Sequence, residues 1–285
     1  MDLQMSVSSA APGLLGDTPA RDYADKLKLF NAFAAPELRR AIKSLDLKPG
    51  MRIVDAGCGT GAALTWLLHA VEPQGLIVGF DLATAHVNVA RAFSGTHTAV
   101  LQADLMKPPL ACASFDLVWS VNTINHLRDP VEGVRTLATL LRPGGRIALG
   151  QSSLVPDMYF AWDARLERVT NEAVRRYYLE RYGLDERALT DIRCLVGHLR
   201  RAGLHNVRAH TCMIERLAPL AAADRAYILG AIFRGTWGER LRPYLRDADF
   251  AQLARLCEPR HPQFALRRED FHFLQSFTLA VAQIA

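Results

Sequence analysis

Short apolar runs alternate with amphipathic segments along the first half of the chain. Arg52-Ile53-Val54-Asp55-Ala56 and Leu76-Ile77-Val78-Gly79-Phe80-Asp81 have strand length and carry an acid at or beside their ends. They read as buried parallel strands. Phe115-Asp116-Leu117-Val118-Trp119-Ser120 predicts a further strand, and Leu141-Arg142-Pro143-Gly144-Gly145-Arg146-Ile147 turns into another. Helical segments follow at about 62–71, 83–94 and 130–141. Alternation of this kind, running to Ser153, implies a parallel sheet with right-handed crossovers, which binds its ligand outside the carboxyl ends of the strands.

The flanks follow a different pattern. Residues 20–45 place Tyr23, Leu27, Leu29, Phe30, Leu38, Ile42 and Leu45 at helical spacing, and Pro36 is predicted to begin a second helix there. From Pro156 to about Arg201 no strand pattern is visible. Aromatic residues (Tyr159, Phe160, Trp162, Tyr177, Tyr178) are interleaved there with Arg175, Arg176 and Arg181, predicting a helical insertion. Gly203 ends a helix and leads into a sixth strand. Pro219 and Asp224 open another helical stretch through Trp237, Leu245 and Leu256. Phe271 to Val281 has β character and forms the last strand. These shifts divide the chain into a leader with cap helices (1–45), a core (46–153), a helical lid (154–201), a sixth-strand region (202–220), a second helical insertion (221–268) and a last strand (269–285).

Composition narrows the picture only modestly. The chain has 285 residues, half of them hydrophobic, a net charge of +5 and five cysteines. The basic residues are mostly arginines interspersed with acids, so no block of like charge marks a nucleic-acid surface. The cysteines are widely spaced without a C-x-x-C, against both a disulfide framework and a thiolate zinc site. His205 and His210, and His261 and His272, lack partners at ligand spacing, so no metal is expected. No apolar run approaches the ~18–20 residues of a membrane span. The Ser-, Ala- and Gly-rich residues 1–15 carry no basic start and do not resemble a signal peptide. A cytoplasmic setting is the expectation.

The chemistry concentrates in Asp55-Ala56-Gly57-Cys58-Gly59-Thr60-Gly61. Glycines admit positive φ and let a ligand approach the backbone, and the following helix offers free N–H groups. Gly57, Gly59 and Ala62 satisfy a loose dinucleotide fingerprint. Asp55, however, would repel a pyrophosphate, whereas it can accept hydrogen bonds from an ammonium. Asp81, at the tip of the second strand, is placed to bind ribose hydroxyls.

These residues resemble the motifs of class I S-adenosylmethionine-dependent methyltransferases. Val54 to Gly61 is similar to the first motif, D/E-x-G-x-G-x-G, and Gly79-Phe80-Asp81-Leu82 to the second. Gln102-Ala103-Asp104-Leu105 is similar to the segment flanking the adenine, Phe115 to Ser120 to the fourth strand, and Leu141 to Ile147 to the turn into the fifth. The resemblance covers about residues 46–153, with a looser match in the tail.

It implies an α/β fold: a Rossmann-like, doubly wound, seven-stranded, mostly parallel sheet whose last strand is antiparallel. N-terminal cap helices and a helical lid complete it. It also implies S-adenosylmethionine as cofactor, held by Asp55, Gly57, Gly59, Gly61, Asp81, Leu82, Asp104, Leu105 and Asn122, with Tyr23 and Arg39 as capping residues. His126, in the loop after the fourth strand, is the candidate base. Tyr159, Phe160, Trp162, Tyr177, Tyr178, Arg175, Arg176 and Arg181 are candidates for an acceptor pocket. The expected reaction is methyl transfer to a carbon or oxygen of a small organic acceptor, of the quinone, sterol or secondary-metabolite type. The arginines raise an isoprenoid or its diphosphate as one such acceptor.

Two other classes remain open from sequence. One is an RNA, DNA or protein methyltransferase, against which Ser120-Val121-Asn122-Thr123 lacks the proline pair of the exocyclic-amino type. The other is a cofactor-binding enzyme or scaffold that transfers no methyl group.

Overall fold

The computed structural model describes residues 24–153, 158–160, 163–183 and 194–285. Five parallel strands form the core of its sheet: β1 (Arg52–Ala56), β2 (Leu76–Asp81), β3 (Thr98–Gln102), β4 (Phe115–Val121) and β5 (Leu141–Ser152). Their order across the sheet is β3-β2-β1-β4-β5. The order reverses between β1 and β2 on one side and β4 on the other, which opens a crevice at the carboxyl end of β1.

The strands β6 (Met158–Phe160), β7 (His205–Leu217) and β8 (His272–Gln283) complete the sheet. β8 runs antiparallel to β5, pairing Ser152 with Phe277 and Arg146 with Gln283. β7 lies on the other edge of β8 along its whole length, and β6 continues the β5 edge opposite Phe273 to Gln275. The sheet is therefore the expected seven strands with only β8 reversed, plus the short β6. β6 corrects the reading of 156–201 as strandless: three residues carry too little alternation to register as a strand.

Helices α1 (Ala24–Ser44), α2 (Ala62–Val71) and α5 (Ala164–Tyr182) bury their apolar residues in a single layer on one face of the sheet, together with a π-helical segment Ile228–Thr236. The opposite layer contains residues of α4 (Pro130–Ala138) and α6 (Leu195–Arg201). The helix α3 (Thr84–Ala90) follows β2, while α7 (Ala222–Tyr227) and α8 (Asp247–Cys257) flank the π-helical segment.

The predicted break at Pro36 does not occur. α1 runs through it, with Phe30, Phe33, Ala34, Leu38 and Ile42 forming one continuous buried face. Pro36 and Ala32 are both exposed, so the carbonyl that loses its N–H partner at the proline faces water. α3 and α4 are also shorter than their patterns suggested. α3 gives way to a 3-10 turn at Arg91–Phe93, and Leu141 already belongs to β5.

Candidate functional site

The site is built from the carboxyl ends of β1, β2 and β4. β1 leads into the glycine turn, where Gly57, Gly59 and Gly61 have φ of +75°, +53° and +84°. Gly57 and Cys58 both donate their N–H groups to the Phe80 carbonyl, at 2.8 and 2.9 Å, folding the turn onto the end of β2. A Cβ on Gly57 would lie 2.3 Å from Thr123 Oγ1, so the loop after β4 closes over this glycine. A Cβ on Gly59 would meet Leu27 of α1 at 3.0 Å. Glycine is thus required by close packing as well as by φ. The variant Gly57→Ala is expected to lose at least ~1–2 kcal/mol from its left-handed φ alone, with the Thr123 clash added, which thermal unfolding would measure.

Asp81 holds the turn from below. Its Oδ2 accepts the Gly59 N–H at 2.9 Å, its Oδ1 accepts the Ala83 N–H at 2.9 Å, and His86 Nδ1 lies 3.2 Å from Oδ1. Asp55, in contrast, is only 2 % exposed, and its Oδ2 has no hydrogen-bond partner among the described residues. Burial, with the Asp81 charge adding to it, pushes the Asp55 carboxyl from an ordinary 3.8 up to about 8. A buried carboxylate oxygen without a donor fits a cationic group, and an ammonium supplies both charge and N–H donors.

His126 ends the 3-10 turn Ile124–His126 after β4. Burial holds its imidazole below the ordinary histidine value. The Lys26 charge lowers it further, and the Asp81 charge opposes both. A neutral imidazole at neutral pH has a ring nitrogen able to take a proton. Asn125 beside it has a buried Oδ1 without a partner.

The other expected cofactor residues divide. Asp104 accepts the Met106 N–H at 2.9 Å and stands at the end of β3 beside the crevice. Leu82 is half-buried at the end of β2, whereas Leu105 is buried in the α4 layer. Asn122 takes φ +54°, and its Oδ1 accepts from Ser152 N at 2.8 Å and Ser152 Oγ at 3.1 Å. It ties the β4 loop to β5. Arg39 is exposed, with its guanidinium 5.1 Å from the centre of the Trp66 ring. Tyr23 and Trp162 lie outside the described residues.

Of the expected acceptor-pocket residues, Arg175, Arg176, Tyr177, Tyr178 and Arg181 stand on α5, with Tyr177 and Tyr178 half-buried against the apolar core. The Tyr177 ring packs edge-on to Tyr178 at 5.3 Å and to Tyr244 at 6.2 Å, with Arg181 and Arg240 against it. Arg176 lies over Tyr244, whose hydroxyl donates to Glu180 at 2.7 Å. Arg175 lies 3.7 Å from Glu172. Arg176 and Arg240 join α5 to the 3-10 segment Glu239–Tyr244, whereas Arg175 and Arg181 meet these partners within α5 itself. Tyr159 and Phe160 sit in β6, opposite Leu274 and Phe273.

Three residues that the sequence reading does not assign to the site stand at it: Thr123, against Gly57; Leu27, over Gly59; and His86, on Asp81. His86 carried a usable signal. It lies five residues beyond Asp81, on the first turn of the helix that leaves the same strand end. Among the described residues no group of three or more His, Cys, Asp or Glu is arranged to hold a metal, and no helix is long and apolar enough to cross a membrane.

Comparison with known proteins adds the following. A family model described as a methyltransferase domain matches residues 54–149. The chain is 33% identical over 165 residues to 27-O-demethylrifamycin SV methyltransferase of Amycolatopsis mediterranei, covering 56% of each chain. It is 33% identical over 121 residues to nocamycin O-methyltransferase of Saccharothrix syringae, covering 41% of this chain and 43% of that one. The chain spans about half the length of the curated relatives it matches. Among solved structures, the phosphoethanolamine N-methyltransferase 2 of Haemonchus contortus with S-adenosylmethionine superposes with a TM-score of 0.54 at 15% identity, over 94% of this chain and 59% of that one. The cyclase SpnF superposes with a TM-score of 0.51 at 16% identity, over 97% and 98%. At such identities the likeness is one of fold.

Proposed function

We propose that the chain transfers the methyl group of S-adenosylmethionine to a small organic acceptor of secondary metabolism, a reading supported by the methyltransferase domain model that matches residues 54–149. Oxygen is favoured over carbon, because relatives 33% identical over 165 and 121 residues are methyltransferases of rifamycin and nocamycin type. The observation that carries the reading is the unpartnered Asp55 Oδ2 at the foot of a glycine turn held by Asp81.

When bound, S-adenosylmethionine supplies an electrophilic methyl group on a sulfonium centre. Asp81 would accept from its ribose hydroxyls and Asp55 from its ammonium, while Asp104 is placed toward the base end. Leu27 packs against the turn at Gly59, and the neutral imidazole of His126 would take the proton from the acceptor hydroxyl. Alanine at His126 is expected to slow methylation of a neutral alcohol by roughly a hundredfold with cofactor affinity retained. Steady-state rates beside a titration would show it. The acid limb of the wild-type pH profile should lie below the ordinary histidine value.

Asp55 gives a second pH dependence of known sign. The folded, empty protein holds the Asp55 proton up to about pH 8, whereas the unfolded chain releases it near 3.8. Stability of the empty protein therefore falls as pH rises between those values. Binding an ammonium favours the ionised carboxylate, so S-adenosylhomocysteine affinity should rise from pH 6 to pH 8. Asp55→Asn should bind weakly at every pH and lose both slopes, as read by calorimetry and thermal unfolding.

The direct test is titration of the protein with S-adenosylmethionine and S-adenosylhomocysteine, followed by an acceptor screen that detects methyl transfer by mass. Failure of the folded protein to bind either compound would overturn the reading. Since a cyclase shares this fold, intact cofactor recovered after acceptor turnover would redirect it to a reaction without methyl transfer.

A further inference from the structure

The support beneath Asp81 is asymmetric. Oδ2 takes one backbone N–H, from Gly59, while Oδ1 meets both the Ala83 N–H at 2.9 Å and the His86 Nδ1 at 3.2 Å. An ionised carboxylate offers about four acceptor positions, so three protein groups leave room for a ligand. His86 comes from α3, and its side chain is 9 % exposed against 15 % for Asp81. The imidazole that α3 places there meets Oδ1, the carboxylate oxygen not engaged by the Gly59 N–H.

We propose that His86 is a positioning residue for the ribose end of the cofactor, acting through Asp81. The proposal rests on the cofactor reading above. The imidazole Nδ1–H anchors Oδ1, and the two backbone N–H groups complete the clamp, so the carboxylate meets the ribose hydroxyls in one orientation. Preorganising an acceptor in this way removes the ordering cost from the binding step. Nothing in the turn itself would replace this contact, because the remaining Asp81 partners are backbone groups of Gly59 and Ala83.

The test separates positioning from filling space. His86→Phe keeps a ring in the buried position and removes the nitrogen. His86→Asn carries an amide N–H near the place of Nδ1 and is the rescue variant. His86→Leu serves where the phenylalanine does not fold. The probes are S-adenosylhomocysteine and its analogue lacking both ribose hydroxyls, titrated into each folded variant. The phenylalanine or leucine variant is expected to bind S-adenosylhomocysteine about ten- to a hundredfold more weakly, the range set by a hydrogen bond to a charged group. The same variant should bind the dideoxy analogue as the wild type does, and the asparagine variant should recover most of the loss. Equal weakening of both probes would assign His86 to packing and overturn the proposal, as would unchanged binding of S-adenosylhomocysteine. A wild type that binds neither probe would remove the cofactor reading itself, a result distinct from wild-type binding that is indifferent to His86.

Discussion

Asp81→Ala is expected to weaken S-adenosylhomocysteine binding roughly a thousandfold, because two losses combine. Ribose hydroxyls lose a charged acceptor, and each such hydrogen bond contributes ~1.5–3 kcal/mol. The empty site also loses its clamp. The Gly59 and Ala83 N–H groups, both 2.9 Å from the carboxylate, are left without their acceptor, and His86 loses this contact. Gly59 then has no tie holding the turn to β2 at its tip, although Gly57 and Cys58 remain bonded to the Phe80 carbonyl. Asp81→Asn is informative beside it. An amide keeps one acceptor oxygen but presents N–H groups toward a backbone donor, so it should recover little affinity. Calorimetric titration checks the pair, with unfolding midpoints showing that each variant is folded. Affinity unchanged in Asp81→Ala would mean that the ribose lies elsewhere and that Asp81 serves only the turn.

The order of that dependence explains why half of the site was readable in advance. Asp55, the glycines and Asp81 follow one another along β1, its turn and β2, so their arrangement follows from strand pairing alone, as Ala56 opposite Phe80 shows. The acceptor side depends instead on contacts between distant segments. The tyrosines and arginines of α5 were visible as composition, but their partners Arg240 and Tyr244 lie about sixty residues further on, in an insertion whose path no periodicity reveals. The surroundings of Arg39 were hidden for a related reason. Unbroken passage through Pro36 fixes which face of α1 meets the sheet, and that register leaves Arg39 on the outside with Trp66 while Leu27 reaches Gly59. The π-helical segment was equally hidden. Its defining bonds, such as Trp237 N–H to the Ile232 carbonyl at 2.8 Å, shift the backbone partner by one residue without changing which residues are apolar.

The anchoring of α1 makes Arg216 a residue whose loss should cost much stability. Arg216 lies on β7, and its guanidinium hydrogens are all accounted for. Nε donates to Asp224 at 2.8 Å, one terminal nitrogen to Glu37 at 3.2 Å and the Glu215 carbonyl at 2.8 Å, and the other to Glu37 at 2.9 Å and the Phe33 carbonyl at 2.6 Å. Its face rests on the Phe33 ring at 4.7 Å. The Glu37 side chain is 4 % exposed and that of Asp224 14 %, so both carboxylates depend on this cation, with the exposed Arg40 a secondary partner to Glu37. Arg216→Met keeps much of the apolar stem and strands the buried Glu37 and the half-buried Asp224, and breaking a buried pair costs ~3–5 kcal/mol. For a chain of this size that corresponds to a fall in melting temperature of roughly 10 °C. Adding Glu37→Gln and Asp224→Asn to the methionine variant should restore most of the loss, since the penalty lies in uncompensated charge. A fall of the same size in the triple variant would place the contribution in packing against Phe33 instead. The expected consequence for the site is specific. α1 carries Leu27 over Gly59 and Lys26 within the field of His126, so Arg216→Met, measured below its melting temperature, should bind S-adenosylhomocysteine more weakly although Arg216 is not among the residues proposed to hold it.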